Sequence, residues 1–454
     1  MKAICVGLFA VAALAGCFAS RDQAAGAEAD AGSAGTKSRV KPPASIGANS
    51  HALCRSGAVE SRPIDKVDLL FMVDNSNSMF DEQASLKAQF PKLMQVLTSG
   101  RRGPDDPRPF PPVTDLHVGV VTSDMGIPGV NFGAGTGCSP DGGDDGRLQH
   151  AGHGQGCEDS YPAFLAYDAA QGGDADKLVQ DFACVASVGT GGCGFEQQLE
   201  APLKALWPSL YTDGNGNVVS PNPITFLATT PGGTLGRGDV PAAQGGNAGF
   251  LRNDPNQGLS LIAIVVVSDE EDCSPRTTEH LKPLSQLPDD SPYRDQDINL
   301  RCFYNKSLLY DVGKRYLTGF QRLRPGNEQL VAFAAIVGVP TDLVDADTLS
   351  ATDFADPASR DAYYERILND DRMQERIDPS TNPGTGTGNL VPSCQRDDAS
   401  GNRSVAYPPR RIVELAQLFG ANGRVQSICQ DDFSPAMNAI VDMMAHRIAA
   451  PCEP

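Results

Sequence analysis

The stretch Val67-Asp68-Leu69-Leu70-Phe71-Met72-Val73, followed at once by Asp74-Asn75-Ser76-Asn77-Ser78, decides the fold. A short apolar run of this kind suits a strand covered on both faces, as in a parallel sheet. It ends in a tight polar loop that carries one carboxylate and two hydroxyls. Working outward, the same pattern returns along the chain. Leu116 to Thr122 reads as a second strand. Leu261 to Val267 reads as another, and ends in Ser268-Asp269-Glu270-Glu271-Asp272-Cys273. Leu330 to Val337 and Arg424 to Ile428 complete the set. Helical spacing fills the intervals. One helix carries Leu86, Phe90, Leu93, Met94 and Leu97 on one face, with a kink or break expected at Pro91. Others fall at Phe195–Leu206, at about 305–320, at 359–374 and at 410–419, the last closed by Gly420. The final helix has Ser434 as cap and Pro435 in its first turn. Its apolar face is Met437, Ile440, Val441, Met444 and Ile448. Strands alternating with helices predict an α/β fold with a doubly wound, mainly parallel sheet flanked by helices. In such sheets a ligand sits outside the carboxyl ends of the strands. The acidic clusters after Val73 and after Val267 both fall there.

The chain has 454 residues, with 37 Lys+Arg against 56 Asp+Glu, a formal net charge of −19. Such a chain repels phosphate backbones, which argues against a nucleic-acid partner, but it does not repel cations. After residue 20 no apolar run reaches the roughly 18–20 residues that span a bilayer. The 47 Gly and 34 Pro predict much loop. Long insertions are expected at about 124–160, 208–259 and 377–408, within one domain over 51–454.

The amino terminus reads as an address. Lys2 precedes an apolar stretch, Ala3 to Leu14, and then Leu14-Ala15-Gly16-Cys17. This order resembles the bacterial lipoprotein signal. The resemblance implies that residues 1–16 are removed, that Cys17 carries lipid, and that 17–50 form a disordered tether to the membrane. Phe18 stands where an aspartate would signal inner-membrane retention, which favours the outer membrane of a bacterial cell envelope.

Ten cysteines remain after Cys5 and Cys17, and an even count in an exported chain predicts disulfides. Short loops suggest Cys138 with Cys157, Cys184 with Cys193, and Cys273 with Cys302. Cys394 with Cys429 and Cys54 with Cys452 are the remaining pairs. His150, His153 and Cys157 have metal-ligand spacing, but a disulfide at Cys157 is the expectation. Asp213-Gly214-Asn215-Gly216-Asn217 resembles the start of a calcium loop. Its twelfth position is Ile224 rather than Glu, so a hairpin turn is expected. Glu270, Glu271 and Asp272 are expected to form a solvated loop, and His117 to serve packing.

Asp74-x-Ser76-x-Ser78 after a buried strand resembles the metal-ion-dependent adhesion site (MIDAS) of the von Willebrand factor A (VWA) domain. The layout resembles secreted bacterial lipoproteins that carry this domain. The resemblance implies a threonine on a Gly-rich loop before a helix, matched by Thr190 in Val188-Gly189-Thr190-Gly191-Gly192. It also implies an aspartate after the fourth strand, matched by Asp269, although Glu270 replaces the usual glycine. Ser76, Ser78 and Thr190 would hold a divalent cation through hydroxyls, and Asp74 and Asp269 directly or through water. Mg²⁺ is the expected ion, with Mn²⁺ or Ca²⁺ as alternatives. A protein partner would supply a further carboxylate. The expected function is a membrane-anchored, extracytoplasmic binding protein and not an enzyme. The alternatives are a structural envelope lipoprotein whose cation site is vestigial or only stabilising, and a metal-dependent hydrolase. No G-x-S-x-G, H-E-x-x-H or Walker pattern accompanies the loop.

Overall fold

The computed structural model describes residues 64–133, 137–254, 258–381, 387–397 and 403–448. The signal, the lipid site at Cys17, the tether, Cys54 and Cys452 lie outside these residues. The strands are β1 Lys66–Val73, β2 Asp115–Thr122, β3 Leu165–Asp168, β4 Leu261–Val267, β5 Val331–Val337, β6 Cys394–Asp397, β7 Arg403–Ala406 and β8 Gly423–Ser427. Six of them form one sheet in the order β3-β2-β1-β4-β5-β8. Its pairs are parallel except at the edge, where β3 runs antiparallel to β2. β6 and β7 make a separate antiparallel pair.

The helices are α1 Phe80–Ser99, α2 Ala175–Val185, α3 Glu200–Leu206, α4 Arg301–Tyr304, α5 Thr318–Gln321, α6 Ala346–Ala351, α7 Pro357–Asn369, α8 Arg410–Leu418 and α9 Ser434–Ile448. They cover both faces of the sheet. Val67, Leu69, Phe71 and Val73 of β1 pack on one face with side chains of α1, α2 and α9. Leu70 and Met72 point to the other, with side chains of α3, α7 and α8. All of these β1 side chains are buried. Each such side chain contributes roughly 1.5–3 kcal/mol through burial, so β1 is a rigid base for whatever follows Val73.

Register matters most here. Val73 lies opposite both Thr122 and Val267. Three parallel strands therefore end level, and Asp74, Ser123 and Ser268 emerge side by side.

Several expectations need correction. α1 runs unbroken through Pro91. The lost hydrogen bond is offset by packing of Leu93, Met94 and Leu97 into the core; the side chains of Leu86 and Phe90 lie outside those described. The helix expected from Phe195 begins only at Glu200. The chain before it is held open by Gln197 N–H on the Ser123 carbonyl and Leu199 N–H on Asp272. The helix expected over 305–320 divides into a 3₁₀ turn at Lys306–Leu308 and a π-helical stretch at Val312–Leu317 that runs into α5. Between them Leu309 bridges to Pro275, and that pairing needs extended chain.

Among the described residues four disulfides join Cys138 to Cys193, Cys157 to Cys184, Cys273 to Cys302, and Cys394 to Cys429. The last two pairs are those expected. The first two are exchanged relative to the short-loop expectation, because the fold and not the sequence separation sets the neighbours. Gly137, at φ +73°, packs so closely on Gly192 that an added Cβ would lie 2.2 Å from its carbonyl oxygen. That contact carries Cys138 to Cys193. Cys157 is consumed by Cys184, and the His150 ring nitrogen meets Ser160 Oγ at 3.1 Å, so the His–His–Cys spacing serves local structure. Residues 212–218 form the expected tight turn. Thr212 bridges Val218, and Asp213 accepts the N–H groups of Asn215 and Asn217.

Candidate functional site

Asp74 is fully buried at the level end of β1. Its Oδ1 accepts the Ser76 N–H at 2.9 Å and the Ser123 hydroxyl at 3.0 Å. Its Oδ2 accepts the Ser268 hydroxyl at 2.5 Å. Ser268 Oγ in turn accepts Gln198 Nε2 at 3.0 Å and the Glu270 N–H at 3.1 Å. Two donors thus point at the Ser268 oxygen, which leaves its own proton to face Asp74. Each of these donors is neutral.

A second line of oxygens starts from the same loop. Ser76 Oγ lies 3.0 Å from Ser78 Oγ, and Ser78 donates to Asp269 Oδ1 at 3.2 Å. Ser76 and Asp269 are buried and Ser78 is exposed, so the three oxygens arch up to the surface at Ser78 and back into the protein. Asp269 is also fixed through its backbone, whose carbonyl accepts the Tyr407 N–H at 2.8 Å.

Thr190 lies on a loop pinned to this one at two points. Gln83 Nε2 donates to both the Asp74 and the Gly189 carbonyls at 2.8 Å. The Gly192 N–H donates to the Asn75 carbonyl at 2.8 Å. A Cβ on Gly192 would fall 2.1 Å from Asn75 Oδ1, so only glycine allows this approach. The structure thus brings the loops of Asp74, Ser76, Ser78, Asp269 and Thr190 near one another, but the half-buried Thr190 hydroxyl makes no hydrogen bond to Ser76, Ser78 or Asp269 among the described residues.

The electrostatics are one-sided. Burial pushes the Asp74 carboxyl above its ordinary range, and the hydrogen bonds from Ser268, Ser76 and Ser123 pull it part of the way back. Asp269 is raised well above its usual value by burial and then by the charges of Glu270, Asp74 and Glu82. Burial and the Glu270 charge do the same to Glu196. Glu270 is pushed up to about 7 by burial and by Asp74, against a hydrogen bond from Glu196. Like-charged carboxyls gathered this closely oppose one another's ionisation, and a cation would relieve them. Glu82 is also raised by burial, and its Oε2 has no hydrogen-bond partner among the described residues.

A cavity of about 280 Å³ opens beside Ser76 and Ser78. Its walls include Glu196, Glu270, Phe195, Phe303 and Tyr407. The acidic run that forms part of it is not the solvated loop expected. Asp272 is fully buried and receives Leu199 N–H at 2.9 Å, Ser274 Oγ at 2.6 Å and Arg411 Nε at 3.1 Å. Glu271 accepts the Arg411 N–H. These charges tie α3 and α8 to the end of β4. His117 packs as expected, on Phe164, with Nδ1 2.8 Å from the Phe250 carbonyl oxygen.

Ser123, Gln198, Ser268 and Glu196 belong to the site although no motif pointed to them. A signal existed for two of them. Thr122-Ser123-Asp124 and Val267-Ser268-Asp269 repeat one pattern at two buried strand ends. Among the described residues no three His, Cys, Asp or Glu side chains converge on a metal position. The oxygens that converge on the Ser78 hydroxyl are one hydroxyl, of Ser76, and one carboxylate, of Asp269.

No family model, curated protein or solved structure matches the chain.

Proposed function

We propose that the protein is a VWA-like, lipid-anchored binding protein of the bacterial envelope that captures a protein partner through a divalent cation. Ser76, Ser78 and Asp269 would hold the cation, with Thr190 beside them and Asp74 behind. The observation that carries this reading is the spacing of the oxygens. On an octahedral Mg²⁺ with bonds of 2.0–2.1 Å, adjacent ligand oxygens stand about 3.0 Å apart. Ser76 Oγ to Ser78 Oγ is 3.0 Å and Ser78 Oγ to Asp269 Oδ1 is 3.2 Å. These oxygens could occupy adjacent vertices of one octahedron. The surrounding carboxyls, raised by burial and by one another, are those that a cation would relieve.

Strand order adds support. Counting only the sheet strands, the order is that of a doubly wound 3-2-1-4-5-6 sheet, and β1 and β4 flank its switch point. Asp74 and Asp269 follow those two strands. A bound cation would supply a Lewis-acidic contact for an incoming carboxylate. The chain's part is to hold hydroxyls in place and to leave the outer side of Ser78 open.

Calorimetric titration of Mg²⁺, Mn²⁺ and Ca²⁺ into the metal-stripped chain tests this reading. Saturable binding that falls at least tenfold in Ser76→Ala, with unchanged folding, is the expected result. Equal binding by the variant would sink it. A large metal-dependent rise in melting temperature without a partner would favour the purely stabilising alternative.

A further inference from the structure

A second, larger cavity of about 820 Å³ lies next to the first. Five cationic side chains line it, Arg276, Lys306, Lys314, Arg315 and Arg411, against the carboxylates of Asp311 and Glu414. That balance is the reverse of the chain's, where acids outnumber bases 56 to 37. Composition alone does not place five cations in one hollow of such a protein.

The five are not equivalent. Arg315 is bound to Glu200, Arg411 to Asp272 and Lys306 to Glu375. Two remain for a ligand. Arg276 is exposed and donates to the Ser307 carbonyl. Lys314 is 89% exposed and, among the described residues, pairs only with Asp311, at 3.9 Å. Exposed pairs at that distance contribute little, so Lys314 gives up almost nothing on meeting another anion.

Lys306, Leu309 and Arg411 line both cavities, so the basic basin and the pocket beside Ser76 and Ser78 share a wall. The wall is partly apolar. Phe303 and Leu390 face the smaller cavity, and Ile224, Val312 and the exposed Leu418 the larger.

We propose that the two cavities form one groove for an acidic peptide segment of a partner protein, with its apolar residues on the shared wall and carboxylates at Arg276 and Lys314. At its other end the segment would place one carboxylate at Ser76 and Ser78, and this part rests on the reading above. At the larger cavity charge complementarity selects an anion, whereas the smaller one, lined by Glu196, Glu270, Glu271, Asp272 and Glu375, would take a carboxylate only through a bound cation. The apolar wall selects a peptide over a sugar or nucleic acid, which have few aliphatic groups to bury.

Fluorescence anisotropy of the full chain with a labelled Asp/Glu-rich peptide interspersed with Leu and Phe, in Mg²⁺, tests the proposal. The double variant Arg276→Glu/Lys314→Glu changes only exposed side chains, so it should fold and bind metal as the parent does. It is expected to weaken peptide binding roughly tenfold or more and to flatten its salt dependence. Equal binding by parent and double variant overturns the proposal, as does no binding by the parent. Tighter binding of a sulfated polysaccharide than of the peptide, lost in the double variant, overturns the choice of occupant. Peptide binding that needs the two cations but ignores Mg²⁺ and Ser76→Ala sinks the metal reading and upholds the groove.

Discussion

Asp68 and Asp74 sit on one strand and its exit loop, both fully buried, and the protein treats them in opposite ways. Asp68, at the amino end of β1, accepts the Arg252 N–H and Nε at 2.9 and 2.7 Å and the Ser260 hydroxyl. Arg324, itself buried, lies 3.7 Å away. Asp145 in the first insertion is likewise matched by Lys204 and Arg237. Asp74, at the carboxyl end, receives hydroxyls and an amide only. Burying a carboxylate is costly unless a charge or several hydrogen bonds compensate. Asp68 at the amino end of β1 is therefore architecture, and so are Asp145 and Asp272, which are paired with cations although they lie near the carboxyl ends of β2 and β4. Asp74, Asp269, Glu196 and Glu270 instead form a set of carboxyls whose proton affinities are raised together, the arrangement of a site that takes its positive charge from outside.

The strongest way to break this contrast is to remove each carboxylate in turn. Asp68→Ala leaves the buried Arg324 without its anion and the half-buried Arg252 with Asp115 alone, and is expected to cost about 3–5 kcal/mol, read by urea unfolding. Asp74→Asn removes no partner of a buried cation. Its expected cost is about 1 kcal/mol, with Mg²⁺ affinity down at least tenfold. Equal destabilisation by the two substitutions would show that both ends are architecture.

A pH series sharpens the contrast without touching either residue. Asp124, buried after β2, is pushed up to about 6 by burial and then by the charges of Asp144 and Asp145, against hydrogen bonds from the Gly126 and Cys193 backbones. Its folded value lies above the ordinary 3.8, so the folded state binds the proton more tightly. The stability this group contributes is complete below about pH 4 and is lost as pH rises through about 6. The loss is of order 2–3 kcal/mol. Asp124→Asn should flatten the stability profile over that window. An unchanged slope would place the proton uptake elsewhere in the acidic set.

How much of this was legible in advance follows from range. The strands of the central sheet have strong local signals. β4 runs from Leu261 to Val267 as read, because seven consecutive apolar residues leave no other solution. β3 is four residues, with one of them buried, and depends on pairing with β2. β6 and β7 are equally short and lean on each other. Such strands have no periodicity to read. Asp68 carries a related lesson. A carboxylate inside an apolar run looks like an interruption until Arg252 and Arg324, far along the chain, close on it. At the site, the D-x-S-x-S loop was local and readable. The hydroxyls that hold Asp74 come from Ser123 and Ser268, 49 and 194 residues away, and only the strand register makes them neighbours.

The smallest expected effect concerns Thr190, the member whose placement rests on the loop and not on a strand end. Gly192 against Asn75 and Gly189 against Gln83 fix its backbone. The hydroxyl can therefore be removed with little disturbance. Thr190→Val keeps the shape and should leave stability within about 0.5 kcal/mol. If the hydroxyl faces the cation, Mg²⁺ affinity falls several-fold, about 1 kcal/mol, and less than in Ser76→Ala. Gly192→Ala moves the whole loop off Asn75 and should lower affinity more than Thr190→Val does. If Gly192→Ala weakens metal binding and Thr190→Val leaves it untouched, the loop serves only to brace Asp74 and Asn75. The oxygens that meet the cation would then all come from the ends of β1 and β4.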